Sequence, residues 1–191
     1  MPIEELVRIG SPRRITRWGE PVLHKPARPV RDFGADLQTL IADMFATNRA
    51  AQGAGLAAQQ IGVDLAVFVY DCTDEHRRRR VGVICNPRVI LPEGRDRVLD
   101  LSDEGCLSLP GAYAPLARPG VATCHGQDQY GEPIEVVAGG VLGRCLQHET
   151  DHLAGTVFGD RLSRKERQRL YRQHEAAAAR FPEDWPVQAA R

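Results

Sequence analysis

The segment His148-Glu149-Thr150-Asp151-His152 is an H-E-x-x-H motif, and it decides how the rest of the chain is interpreted. On an α-helix the two histidines are four residues apart, so their rings share one face and can bind a single metal ion. Glu149 lies beside that face, where its carboxylate can act on water that the ion activates. The alternative is that both histidines are solvated or core residues of an amphipathic helix.

Two histidines do not complete a catalytic metal site, which uses three protein ligands and one open position. The extended metalloprotease pattern requires a histidine at position 158, where this chain has Phe158. Cys106 is a candidate because it lies in a loop-like, glycine-containing segment that can present a thiolate to a helix. The residues alone leave open the other cysteines, a distant carboxylate and four histidines: His24, His76, His125 and His174.

The amino-acid composition limits the classes of protein to which the chain can belong. The chain has 191 residues, of which 42% are hydrophobic and 26% charged, so we expect one globular domain over 1–191. A disordered tail, a collagen-like fibre and a membrane bundle are excluded. The net charge is zero, so the whole-chain charge favours neither DNA nor a membrane surface as a partner. The five cysteines are odd in number and irregularly spaced, and the first twenty residues lack a signal peptide, which predicts a cytoplasmic location.

Local patterns predict an α+β fold, with antiparallel strands and a few helices but no regular β-α alternation. An N-terminal helix is predicted from apolar residues at helical spacing between 37 and 45, with Asp36 as its N-cap. The metal-binding helix is predicted over 141–153. β-Branched and aromatic runs predict strands at 65–70, 81–85, 121–124 and 134–137.

The two ends of the chain have distinct compositions. Residues 1–35 are rich in Pro, Arg and Gly and are predicted to wrap the surface. A basic C-terminal helix is predicted over 163–180, with Ser163 and Glu166 as a capping box. Residues 185–191 are predicted to form a loose end.

Three segments together resemble one family. They are GAGLAAQQ at 53–60, EGCLS at 104–108 and QHETDHLAG at 147–155. In content and order they resemble peptide deformylase, a metal-dependent hydrolase that removes the formyl group from the N-terminal methionine of newly synthesised proteins. The resemblance covers most of the chain and implies an α+β domain in which small antiparallel sheets pack around a central metal-binding helix.

The resemblance also implies roles for individual residues. Glu149 matches the family's general acid and base. The side-chain amide of Gln60 and the backbone N–H of Leu107 match the groups that hold the formyl oxygen. The metal ligands of the family are matched by Cys106, His148 and His152.

Substrate contacts follow from the same comparison. Gly55 matches a position whose backbone pairs with the extended peptide, and Val141 and Cys145 match the lining of an apolar pocket for methionine. Two positions depart from the family pattern. Gln59 stands where relatives often carry Pro or Thr, and Tyr113 stands about where some relatives have an Arg that touches the substrate backbone.

Cofactor and partners are implied as well. The expected cofactor is one divalent ion, Fe(2+), with Zn(2+), Ni(2+) or Co(2+) as substitutes in purified protein. The expected partners are N-formylmethionyl nascent peptides and, through the basic C-terminal helix, the ribosome. Glu104 and Asp151 either orient the histidines or form ion pairs with arginines such as Arg118 or Arg144.

Two other functions remain open at this point. An H-E-x-x-H endopeptidase would use a distant carboxylate as its third ligand and would not need Cys106. A nucleic-acid-binding protein with a structural zinc would close the site with a fourth protein ligand and would not need Glu149.

Overall fold

The computed structural model describes residues 1–187, and its elements are mixed helices and antiparallel strands. The helices are α1 (Ile3–Leu6), α2 (Ala35–Ala50), α3 (Gly140–Leu153) and α4 (Arg164–Ala177). The strands are β1 (Gly55–Ala57), β2 (Val67–Thr73), β3 (Arg79–Ile90), β4 (Leu99–Gly105), β5 (Tyr113–Pro119), β6 (Val121–Gln127) and β7 (Pro133–Gly139).

The strands form two antiparallel sheets. The larger sheet has the order β1-β2-β3-β6-β7, and the smaller one pairs β4 with β5. Successive residues of β2 face opposite sides, and both sides are buried: Val67 and Val69 pack in the cluster that contains α2, whereas Phe68 packs in the cluster that contains α3. The α+β class and the central position of the metal-binding helix are therefore confirmed.

Helix α3 is fixed at its start by a neighbouring hairpin. Gly140 has a φ of +58°, which a glycine adopts readily. The N–H of Gly139 donates to Glu75 Oε2 at 2.8 Å, so a carboxylate lies at the positive end of the helix. Leu142 and Leu146 are fully buried on the side that faces the sheet.

Several sequence predictions need correction. The N-cap of α2 is Gly34, and Asp36 lies in its first turn instead. The strands on either side of the predicted loop 71–80 extend into it, which leaves 74–78 between them. The β4–β5 hairpin was missed because its polarity is inverted: Leu101 is 70% exposed, whereas Glu104 faces inward and is 4% exposed.

The chain ends lie along the surface but are anchored. Residues 1–35 bury single apolar side chains, among them Leu6 and Ile15. The N–H of Ile15 donates to the backbone oxygen of Trp185 at 3.1 Å, and the Trp185 side chain packs against the α2 cluster. The prediction of a loose end is therefore wrong for Trp185, and residues 188–191 lie outside the described residues.

Helix α4 has the predicted capping box. Ser163 Oγ accepts from the N–H of Glu166 at 3.3 Å, and the Glu166 carboxylate accepts from the N–H of Ser163 at 3.1 Å. Leu170 anchors the helix because its side chain is fully buried. Within residues 1–187, no helix has the length and apolar character needed to cross a membrane.

Candidate metal centre and active site

Three potential ligands meet between the smaller sheet and α3. Cys106 directly follows β4, and His148 and His152 lie one turn apart on α3. One ligand atom from each of the three residues lies within 4.8 Å of the others, and Cys106 Sγ is 3.2 Å from His152 Nε2. All three residues are buried. A thiolate and two imidazoles so placed fit a divalent transition metal with one position left for water or substrate.

Glu104 holds one of these histidines from behind. Its Oε1 lies 2.7 Å from His148 Nδ1, which leaves Nε2 of that ring for the metal. The carboxylate also accepts from Arg118 at 2.6 and 2.7 Å and from Arg144 at 2.9 Å. Burial alone would raise the pKa of Glu104, but the hydrogen bonds from Arg118 and His148 outweigh it and hold that pKa well below its usual range.

Asp151 takes the other role that the sequence left open. It accepts from Arg118 Nη1 at 3.0 Å and pairs with Arg161. Arg118 thus links Asp151 to Glu104, and Glu104 alone of the two carboxylates reaches a histidine in the described part of the chain. Glu104 both orients His148 and forms ion pairs, so the two interpretations are compatible for that residue.

Glu149 lies next to the three potential ligands, and one of its carboxylate oxygens is unengaged within the described residues. The residue is 3% exposed, and Oε2 has no hydrogen-bond partner within the described residues. Burial raises the pKa of Glu149 to about 7. Because Glu149 lines the same pocket as Cys106 and His148, the geometry suits a group that takes up and releases a proton near neutral pH.

Gln60 presents its amide donor to the same centre. Its Oε1 accepts from the N–H of Ala57 at 3.0 Å, so Nε2 is turned to Cys106 Sγ at 3.7 Å and Ser108 Oγ at 3.3 Å. Leu107 lines the same pocket, immediately after the cysteine ligand. The structure thus places in one pocket both residues that the motif resemblance assigns to the formyl oxygen.

A pocket of about 270 Å³ opens beside this centre. Its walls include Gly55, Val141 and Cys145, the three residues predicted to contact substrate. A Cβ at position 55 would lie 2.5 Å from Cys145 Sγ, so only glycine allows β1 to approach α3 this closely. β1 is an edge strand of the larger sheet, and its residue Gly55 lines the pocket.

Sequence reasoning missed part of the pocket wall. Phe181 and Trp185 line it from the C-terminal segment, together with Gly111 in the turn before β5. No periodic pattern marks these residues, and Trp185 lies in the segment that the sequence predicts to be a loose end. Tyr113 also lines the pocket and is 60% exposed, so an aromatic ring occupies the rim where the departure from the family pattern was noted.

Comparisons with known proteins agree with the motif resemblance. The family model described as polypeptide deformylase matches residues 12–168. "Peptide deformylase 1" of Streptomyces avermitilis is 58% identical over 174 residues, which cover 91% of this chain and 80% of that protein. "Peptide deformylase 2" of the same organism is 48% identical, covering 95% of this chain and 92% of that protein.

Solved structures show the same fold. A peptide deformylase from Legionella pneumophila superposes with a TM-score of 0.77 at 39% identity, covering 90% of this chain and 100% of that one. A peptide deformylase from Synechococcus elongatus in complex with actinonin gives a TM-score of 0.76 at 34% identity, covering 94% of this chain and 91% of that one. The endopeptidase and structural-zinc alternatives are thereby set aside, and this chain belongs to the polypeptide deformylase family of metal-dependent hydrolases.

Proposed function

We propose that the chain hydrolyses the formyl amide of N-formylmethionyl nascent peptides at an ion held by Cys106, His148 and His152. The observation that carries this proposal is the convergence of one thiol and two imidazoles beside the free carboxylate oxygen of Glu149. A divalent ion bound there supplies Lewis acidity, which polarises the formyl carbonyl and lowers the pKa of water.

Glu149 is the proton carrier in this proposal. Its Oε2 accepts a proton from the attacking water and returns it to the departing amine, which leaves formate and a free N-terminus. The buried position supports this role because burial brings the pKa of Glu149 to about 7, where the carboxyl group can both accept and donate.

Gln60 and Leu107 stabilise the charge that develops on the formyl oxygen. The Gln60 amide is held by Ala57, so its Nε2 donor needs no reorientation during the reaction. The N–H of Leu107 supplies a second donor beside the thiol ligand. Loss of one such donor in other hydrolases costs about 100- to 1000-fold in kcat.

The peptide binds along β1 in this proposal. Gly55 lies in an edge strand that lines the pocket, so an extended peptide can add to the sheet through backbone hydrogen bonds. Val141 and Cys145 form the apolar wall for the methionine side chain. Val141 is 51% exposed and Cys145 is 5% exposed.

The metal is proposed to be Fe(2+). A single thiolate and two imidazoles bind several divalent ions, and affinity generally rises from Fe(2+) through Co(2+) and Ni(2+). Zn(2+), Ni(2+) or Co(2+) can therefore replace the native ion during purification. Metal analysis of protein purified without oxygen tests the assignment, and a predominant metal other than iron would contradict it.

Contact with the ribosome is proposed through the basic helix 163–180. Arg164, Lys165, Arg169 and Arg172 are exposed on α4. Phosphate contacts by such side chains give affinities that fall with salt. Charge-reversal of two of them should weaken cosedimentation with ribosomes and reduce its salt dependence, and unchanged binding would reject the contact.

The five free cysteines support the cytoplasmic location that this partner requires.

Formate release from a formyl-Met peptide tests the central roles. Cys106→Ser should lose bound metal, whereas Glu149→Ala should keep it and lose about 100- to 10,000-fold in kcat. Cys124→Ser is the matched control, because Cys124 is equally a buried thiol but lies in the core beside α3. Full activity in either test variant, or cleavage of internal peptide bonds without formate release, would contradict the proposal.

A further inference from the structure

We propose that Phe181 and Trp185 form an aromatic wall that selects a large apolar side chain at the second or third residue of the formylated peptide. This inference rests on the proposed deformylase function and adds a specificity element to it. Both residues lie after position 168, where the match to the family model ends, and neither belongs to the three motifs that carry the family resemblance.

The two rings belong to the catalytic pocket. Phe181 and Trp185 line the same pocket as Cys106 and Glu149. Their rings meet edge to face, with centroids 5.1 Å apart and planes at 83°. A Cβ at Gly111 would lie 2.9 Å from Phe181 Cε2, so the glycine lets the aromatic ring close directly over the turn.

The N-terminal segment holds the wall in place. Arg17 Nη2 donates to the backbone oxygens of Phe181 at 3.3 Å and of Pro182 at 3.0 Å. The guanidinium of Arg17 also lies 5.4 Å from the centre of the Trp185 ring. Ile15 adds a backbone hydrogen bond to Trp185. Because these contacts are made within the chain itself, the aromatic wall needs little further ordering when a peptide binds.

The aromatic wall and the proposed methionine wall lie in one pocket, because Val141, Cys145, Phe181 and Trp185 all line it. An extended chain advances about 3.3 Å per residue, so the two residues after methionine lie about 3 to 7 Å farther along. Val141 and Cys145 take the methionine side chain in the proposed function, which leaves the aromatic wall to the residues that follow. Contacts between aromatic rings favour binding by about two- to tenfold beyond the area they bury.

Peptide kinetics test the assignment. kcat/KM is measured for formyl-Met-Ala-Ala and for versions with Phe, Leu or Ser at the second or the third residue. For the wild-type enzyme, Phe at one of the two positions should raise kcat/KM about two- to tenfold over Ala. Phe181→Ala should bring that ratio close to one, and Phe181→Leu should retain a preference for Leu over Ser.

Two further variants make the result decisive. Tyr130→Ala is the control, because Tyr130 is a half-exposed aromatic residue in the turn before β7 and does not line the pocket; it should keep the wild-type ratio. Trp185→Phe keeps a ring against the α2 cluster and should reduce the ratio only partly. The ratio is taken within each variant, so a change in the amount of folded enzyme cancels.

The possible failures can be told apart. If the wild-type enzyme prefers Phe at neither position, or if Phe181→Ala keeps the wild-type ratio, the aromatic wall has no role in selection. If the metal-loaded wild-type enzyme releases no formate from formyl-Met-Ala-Ala, the proposed function itself fails.

Discussion

Replacing Glu104 by Gln should damage both the fold and the metal site. The two carboxylate oxygens receive four short contacts from donors on Arg118, Arg144 and His148. Oε1 faces Arg118 Nη2 and His148 Nδ1, and Oε2 faces Arg118 Nε and Arg144 Nη1. A glutamine amide must turn its NH₂ group toward one of these pairs, so two donors face a donor in either orientation.

The magnitude follows from these contacts. A buried hydrogen bond to a charged group contributes about 1.5 to 3 kcal/mol, so losing two gives about 3 to 6 kcal/mol. This agrees with the cost of about 3 to 5 kcal/mol for breaking a buried ion pair. Because His148 also loses its orienting carboxylate, metal affinity should fall about 10- to 100-fold.

Two measurements and one control test this reasoning. Urea unfolding gives the stability change, and chelator competition with Zn(2+) gives the metal affinity. Asp151→Asn is the matched control: Asp151 shares Arg118 with Glu104 but contacts no histidine in the described residues. It should lower stability and leave metal affinity unchanged. Equal losses of affinity in both variants would show that the ion-pair network acts only through stability, and the orienting role of Glu104 would be refuted.

Three other predictions concern the packing of β1 against α3, the N-cap of α4 and the effect of low pH on stability. Gly55→Ala places a methyl group 2.5 Å from Cys145 Sγ and 2.9 Å from Glu149 Oε1, so kcat should fall about tenfold to a hundredfold with metal content retained; an unchanged kcat would contradict the close packing. Ser163→Ala removes the cap of α4 and should cost about 0.5 to 2 kcal/mol in urea unfolding, and no loss would mean that the cap is dispensable. The folded pKa of Glu104 is lowered, so its stabilisation is complete above the ordinary carboxyl pKa of about 4.3 and is lost as pH falls toward the folded value. As the pH is lowered below about 5, the free energy of unfolding of the wild-type protein should therefore fall more steeply than that of Glu104→Gln. Equal slopes for the two proteins would show that protonation of Glu104 is not the cause.

Local patterns were sufficient where burial follows a regular period. The spacing of apolar residues located α2 and α3, and the β-branched runs located β2, β6 and β7 within about three residues at each end, whereas β3 continues to Ile90, past its predicted end at 85. The i, i+4 spacing of His148 and His152 placed both rings on one face without further information. The third ligand could not be fixed this way, because Cys106 lies about 40 residues away and only the motif resemblance selected it.

The missed features depend on contacts between distant parts of the chain. The segment Phe181-Pro182-Glu183-Asp184-Trp185 has no periodicity, and its contacts are made with residues 14–17 at the other end of the sequence. A charged, proline-containing stretch resembles a loose end until those partners are known. The pocket wall that it forms therefore could not be predicted from local sequence.

The inverted polarity of β4 has a cause in the metal site itself. Residues two apart on a strand point to the same side, so Glu104 and Cys106, at the strand's end, both face α3. The Glu104 carboxylate contacts Nδ1 of His148, and the Cys106 thiol lies next to Nε2 of His152. The inward face of β4 is then polar at Glu104, and Leu101 is left on the outside. A one-residue shift in β4 would exchange these faces and remove the thiol and the orienting carboxylate together, so the register of this small sheet is tied to the geometry of the metal centre.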